Sequence, residues 1–227
     1  MKYFYLYIFI LICFIIAVSY FNTYMSSYIE TFNSNKQTFI LLGDSILKND
    51  AYVSDGKSVD DLIKEKTNDK TICLAVDHSK IDDVYSQIEK IPQNLNTNNT
   101  TIFLSAGGND ILTHYVDQEN DITDTSILTP LFSSYKNIIQ NIKNKVPNAN
   151  IILLDIYYPD STSYKKYHSI ISEWNNMIYN YASKPQNNIY SVLKVSNILT
   201  KPDDFSFGIE PSAIGSQKIV DTILTSF

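Results

Sequence analysis

Ser45 closes a Gly43-Asp44-Ser45 turn at the end of the apolar run Phe39-Ile40-Leu41-Leu42. A serine hydroxyl in that setting is a candidate nucleophile for acyl transfer, but it stays weak until a neighbouring base takes its proton. The usual imidazole partner near the C-terminus is missing, because the chain's three histidines are His78, His114 and His168. Two further polar motifs stand out. Gly107-Gly108-Asn109-Asp110 follows another apolar run, and Glu210-Pro211-Ser212-Ala213-Ile214-Gly215 opens the last helical segment. Asp44 reads as a side chain that ties its turn by accepting backbone amides, a role that would persist without catalysis.

The elements that must position these groups are legible as periodicity. Five short apolar, β-branched runs read as buried strands: Thr38–Leu42, Thr71–Val76, Thr100–Ser105, Asn150–Tyr157 and Ile189–Val195. Between them, apolar residues recur at three and four, as in Val59-Leu62-Ile63, Ile81-Val84-Tyr85-Ile88 and Ile170-Ile171-Trp174-Met177-Ile178. Strands alternating with helices give a parallel sheet. The expected fold is α/β: a flavodoxin-like, doubly wound five-stranded parallel sheet in three α/β/α layers, of order 2-1-3-4-5. Its ligand crevice opens at the carboxyl ends of the first and third strands. Those strands lead into Ser45 and Asn109, so topology alone brings the two together.

The three motifs, in this order and after these elements, resemble the SGNH, or GDSL-type, hydrolase family over Thr38 to Phe227. Leu74-Ala75-Val76-Asp77-His78-Ser79-Lys80-Ile81 looks like that family's second block. The resemblance implies an ester hydrolase in which Ser45 attacks the carbonyl. Backbone amides at Ser45 and at position 78, together with the Asn109 side chain, would hold the oxyanion. Two departures follow. His78 stands where the family has glycine, which is costly if the backbone there needs positive φ. Alignment on Pro211-Ser212 puts Phe207 and Glu210 at the family's Asp and His, so both members of its Asp-x-x-His pair are replaced. Asp203 and Asp204 lie just upstream, out of register.

Two residues are candidates for the missing base. Burial raises a carboxylate's pKa toward neutrality, which would let Glu210 serve; the competing role is an acid stabilised near a helix N-terminus. His78 titrates in the useful range and belongs to a loop that the resemblance puts beside the serine. His114 and His168 read as surface or helix-packing residues, and Cys73 as a small core residue. No cofactor and no metal site is expected, since the histidines and the two cysteines lack ligand spacing. Two readings of function stay open: a serine ester hydrolase acting on a carboxylic or acetyl ester, small or carried on a glycan, and an inactive scaffold that binds or builds at a membrane.

The membrane enters through Tyr3 to Phe21, a run without charge that is long enough to cross most of a hydrocarbon core of roughly 30 Å. The expected organisation is an anchor over 1–24, a polar stem over 25–37 and the hydrolase-like domain over 38–227. The domain would lie on the extracytoplasmic or lumenal side. A cleaved secretory signal is the competing reading, with Ala17-Val18-Ser19 as small residues at suitable spacing. A net charge of −6, with all 18 cationic side chains lysine, argues against a nucleic-acid partner. The oligomeric state is not encoded in any visible pattern.

Overall fold

The computed structural model describes residues 14–23, 37–68 and 70–226. The chain forms two compact units, Met1–Gln37 and Thr38–Phe227. Of the first, residues 14–23 are helical and exposed. Among the described residues no helix is long and apolar enough to cross a membrane. The expected anchor is therefore not supported by the described residues, and most of Tyr3–Phe21 lies outside them, as do residues 25–36 of the expected stem.

The second unit is built on strands β1 (Thr38–Gly43), β2 (Thr71–Cys73), β3 (Thr100–Ser105), β4 (Asn150–Leu154) and β5 (Ser191–Leu193), in the order β2-β1-β3-β4-β5. All four pairings are parallel. This is the doubly wound topology expected from the alternation of strand and helix. In chain order the helices are α1 (Val59–Thr67), α2 (Val84–Glu89), α3 (Gly108–His114), α4 (Leu128–Lys145), α5 (His168–Ala182), α6 (Val195–Ile198) and α7 (Ala213–Thr225). A short antiparallel hairpin, β6 (Phe205–Ser206) and β7 (Glu210–Pro211), precedes α7.

The strands are apolar on both sides because both sides are covered. Ile40, Leu42, Ile102, Leu104, Ile151 and Leu153 pack on the α2, α4 and α5 side. Phe39, Leu41, Phe103, Ile152 and Leu154 pack on the α1 and α7 side. Fully burying each such side chain contributes about 1.5–3 kcal/mol, which outweighs the modest helix propensity of the short segments between them. Helix ends are set locally. Ser58 caps α1 by accepting the Asp61 amide at 3.0 Å, and Asn68 ends it in the left-handed region. Ser212 caps α7 by accepting the Gly215 amide at 3.2 Å.

Three strands are shorter than their apolar runs, and the first of these differences builds the site. After Cys73 the chain leaves the ladder: the Leu74 and Ala75 amides both donate to the Leu41 carbonyl, at 2.9 and 3.0 Å, and Val76 N–H donates to Gly43 O at 3.0 Å. The extra residue kinks the strand and turns residues 76–80 toward the end of β1, as bulges do. β4 ends at Leu154; the next residue, buried Asp155, still donates its amide to the Leu193 carbonyl at 3.2 Å, while its carboxylate takes the Ser196 amide and hydroxyl.

Candidate active site

Gly43, the last residue of β1, has φ +123° and lies so close to β3 that a Cβ on it would sit 1.6 Å from the Ser105 carbonyl oxygen. The strand can run on into the turn only as glycine. Asp44 then folds under the turn, where its Oδ1 accepts the Ile46 amide at 3.2 Å and the Ser105 hydroxyl at 2.6 Å. Burial is the main reason that its carboxyl is pushed up to about 7, against the lowering effect of those two donors. Leu47 and Lys48 amides return to the Asp44 carbonyl at 3.1 and 3.2 Å, which closes the turn and presents Ser45.

Ser45, Asn109 and Glu210 line one narrow cleft, with about 40 Å³ of room, at the carboxyl ends of the strands. The rest of its wall is mostly apolar, with Ile111, Leu112, Ile156, Ile171 and Ile209 among its residues. Glu210 projects from β7. Asn49 ties this segment to the loop that follows Ser45, since its Nδ2 donates to the Pro211 carbonyl at 2.8 Å and to the Ser216 hydroxyl at 2.7 Å, while its Oδ1 accepts the Val59 amide.

Ser45 and Glu210 face the same cleft, close enough for the serine hydroxyl to act on the carboxyl's ionisation. Glu210 holds its proton more tightly than its ordinary value of 4.5 implies, first because it is desolvated and further because the Asp77 charge repels its own. The Ser45 hydroxyl and His78 oppose this shift without cancelling it. A carboxylate made more basic by burial and facing a serine hydroxyl has the arrangement of a nucleophile and general base. Among the described residues, no third group orients it as in a triad. Glu210 Oε2 is buried and has no partner.

The residues that stand at or near the family's acid are elsewhere. Phe207 sits at the hairpin tip with φ +53°, is 82% exposed and makes an edge contact with Tyr52. Asp204 is buried against Lys218, at 2.6 Å, and the amides of Thr200 and Lys201. Exposed Asp203 accepts the Ser212 hydroxyl through its carbonyl at 2.6 Å.

Asn109 lies in the first turn of α3, two residues after Gly107, where φ is +110° and an added Cβ would sit 2.4 Å from the Trp174 ring, so glycine is again required. One N–H of its side-chain amide donates to the Ser79 carbonyl at 3.0 Å, and an amide has a second to offer the cleft. Among the described residues, no protein acceptor meets the backbone N–H of Ser45 or of His78. The three donors that the sequence assigns to an oxyanion therefore keep hydrogens uncommitted.

His78 has φ +60°, so the backbone at this position does adopt the left-handed conformation suited to glycine. Its ring is not among the groups lining the cleft. It is 76% exposed over a shallow depression with Asp77, Ser79, Asp83 and Ser86, 3.1 Å from the Tyr52 hydroxyl and 3.5 Å from Asp77. The structure brings Glu210 to Ser45 and leaves the His78 imidazole on the rim. His168 Nε2 donates to the Pro159 carbonyl, 2.9 Å away, and His114 packs edge-on against Tyr115. Among the described residues, no group of three or more potential ligands could hold a metal ion.

Three contributors carry no motif. Tyr52 donates to Asp77 at 2.7 Å beside Glu210, Asn49 joins the first and last blocks, and Gln87 is buried against Gly43. Gln87 had a visible signal, a polar residue at an inward position between Val84 and Ile88. Tyr52 and Asn49 had none, because their partners are far away in sequence.

No protein-family model and no curated protein matches the chain. Solved structures do. A member of the lipolytic G-D-S-L family from Veillonella parvula superposes with a TM-score of 0.62 at 19% identity, covering 84% of this chain and 98% of that one. Phospholipase A1 from Streptomyces albidoflavus gives 0.64 at 12%, covering 85% and 100%. A family 3 carbohydrate esterase from Clostridium thermocellum gives 0.58 at 19%, covering 84% and 94%. The fold is that of the SGNH, or GDSL-type, hydrolases.

Proposed function

We propose that this SGNH-type fold serves a serine ester hydrolase in which Glu210 replaces the missing histidine as the base for Ser45. The observation that carries the proposal is that a desolvated carboxylate, Glu210, shares the cleft with Ser45 and lies within the influence of its hydroxyl. As Ser45 Oγ attacks the ester carbonyl, its proton passes to Glu210, and the carbonyl oxygen becomes an oxyanion. The Ser45 and His78 amides and the Asn109 side chain receive that charge; each such donor is typically worth about 3–4 kcal/mol in a water-excluded site. Collapse of the adduct breaks the C–O bond of the ester, and the leaving alkoxide takes the proton from Glu210. Water then repeats the sequence on the acyl-Ser45 and releases the acid. The apolar wall of Ile111, Leu112, Ile156 and Ile171 suits the acyl side of a carboxylic ester.

The orphaned Glu210 Oε2 favours a second reading, a binding scaffold that keeps the crevice without turnover. Fluorophosphonate labelling of the full-length chain separates the two, since the probe needs an activated serine and no knowledge of substrate. Labelling that maps to Ser45, rises with pH and disappears in Ser45→Ala is the expected result. A folded chain that does not label makes the scaffold the working description.

The same proposal tethers the domain to a membrane through Tyr3–Phe21, whose length and lack of charge motivate it. The mature protein is expected to keep its N-terminus and to stay with the membrane fraction after alkaline carbonate washing. A mature N-terminus beginning beyond Ser19 would replace the anchor with a cleaved signal.

A further inference from the structure

We propose that Gln87 is the positioning residue of the oxyanion pocket, locking the nucleophile turn, the second-block loop and Asn109 into one rigid unit. The inference rests on the reading of Ser45 as the nucleophile. Gln87 is 1% exposed on α2, and its side-chain amide is fully used. Oε1 accepts the Gly43 amide at 2.7 Å, and Nε2 donates to the Gly43 carbonyl at 2.9 Å and to the Ser79 hydroxyl at 3.2 Å. Ser79 is the next link, since its carbonyl takes the Asn109 side chain at 3.0 Å. One buried amide thus reaches all three sources of the proposed oxyanion donors: the residue two before Ser45, the residue after His78, and Asn109.

The loop needs such a clamp. With a Cβ, His78 disfavours the left-handed conformation it holds, and a strained backbone persists only where its surroundings over-determine it. The return of the chain is fixed on one side by Ser79 N–H to Val76 O, at 3.2 Å, and on the other by Gln87 to the Ser79 hydroxyl. Gln87 supplies from outside the constraint that permits a side chain at position 78. Pocket donors must be held to a fraction of an ångström, and a misplacement of about 1 Å costs on the order of 10²-fold in rate.

The test is Gln87→Met in the full-length chain, which keeps the side chain's length and removes every hydrogen bond. The expected result is a folded protein whose labelling rate at Ser45 and kcat fall about 10–100-fold with KM unchanged. Adding His78→Gly should then recover at least about tenfold, because glycine holds the left-handed loop unaided; a purely structural glutamine gives no such rescue. Labelling within about twofold of the parent, or a loss that His78→Gly does not relieve, overturns the proposal. Should Gln87→Met not fold, Ser79→Ala removes the one arm that reaches the loop and is expected to lose about tenfold in the same readout; an unchanged rate overturns the proposal. If the parent itself does not label, the Ser45 reading falls separately, and amide exchange over residues 76–80 decides the clamp. Faster exchange there in Gln87→Met, with residues 38–42 of β1 unchanged, supports it, and unchanged exchange rejects it.

Discussion

Glu210→Gln keeps the fold and silences Ser45: labelling and ester hydrolysis fall by about 10²–10⁴-fold, the usual contribution of a positioned general base. The substitution is informative because the amide keeps the side chain's size and shape but cannot take the proton from Ser45. A loss therefore reports proton transfer, not displaced packing. In the parent the rate is present above the Glu210 pKa and is lost as pH falls through it, at a pH above the carboxyl's ordinary 4.5 because burial and Asp77 both oppose its ionisation. Asp44, pushed up to about 7 chiefly by burial, is also raised by the Glu210 charge, so Glu210→Gln should let its titration move toward acid.

Stability moves the other way. The native state binds the Glu210 proton more tightly than the unfolded chain does, so the favourable contribution is complete below the unfolded value and is lost as pH rises through the folded one. At neutral pH the ionised base is a liability to the fold. Glu210→Gln should melt higher than the parent there, with the difference closing toward acid. Full labelling together with a lower melting temperature at neutral pH would make Glu210 a structural carboxylate and sink its role as base.

How much of this was legible in the sequence follows from where each interaction lies along the chain. The strands were, since Ile40, Leu42, Ile102 and Leu104 announce themselves through neighbours one or two residues away. Their order was also legible, because alternation with helices restricts the topology. Ser45 and Asn109 were found through motifs, and the backbone at position 78 through the glycine that the family's pattern expects. What escaped is long-range. The Gln87 to Gly43 bonds span 44 residues and the Asn49 to Pro211 bond spans 162, and nothing local at either end encodes its partner. The second strand was read three residues too long for a related reason. Leu74-Ala75-Val76 is as apolar as the strand before it, but its amides are diverted to Leu41 and Gly43, a choice made by β1 and not by the segment itself.

That diversion makes Gly43 the residue on which fold and site depend together, and Gly43→Ala is expected to destabilise the chain by more than about 4 kcal/mol, in the range reserved for substitutions with a named steric cause. The added methyl would lie 1.6 Å from the Ser105 oxygen and 2.7 Å from its carbonyl carbon, which is backbone of the neighbouring strand, and the φ of +123° is closed to alanine. Relief by shifting β1 is blocked on every side. Gly43 donates to Gln87 and accepts from both Gln87 and Val76, and it pairs in register with Ser105. With about 2–4 °C per kcal/mol for a domain of this size, the melting temperature should drop by roughly 10 °C or more, or the chain should fail to fold. A Gly43→Ala protein that melts within a few degrees of the parent would mean that β1 and β3 can separate at this point. The nucleophile turn would then owe its geometry to Asp44 and Ser105 alone, and the clamp through Gln87 would have slack enough to need no glycine beneath it.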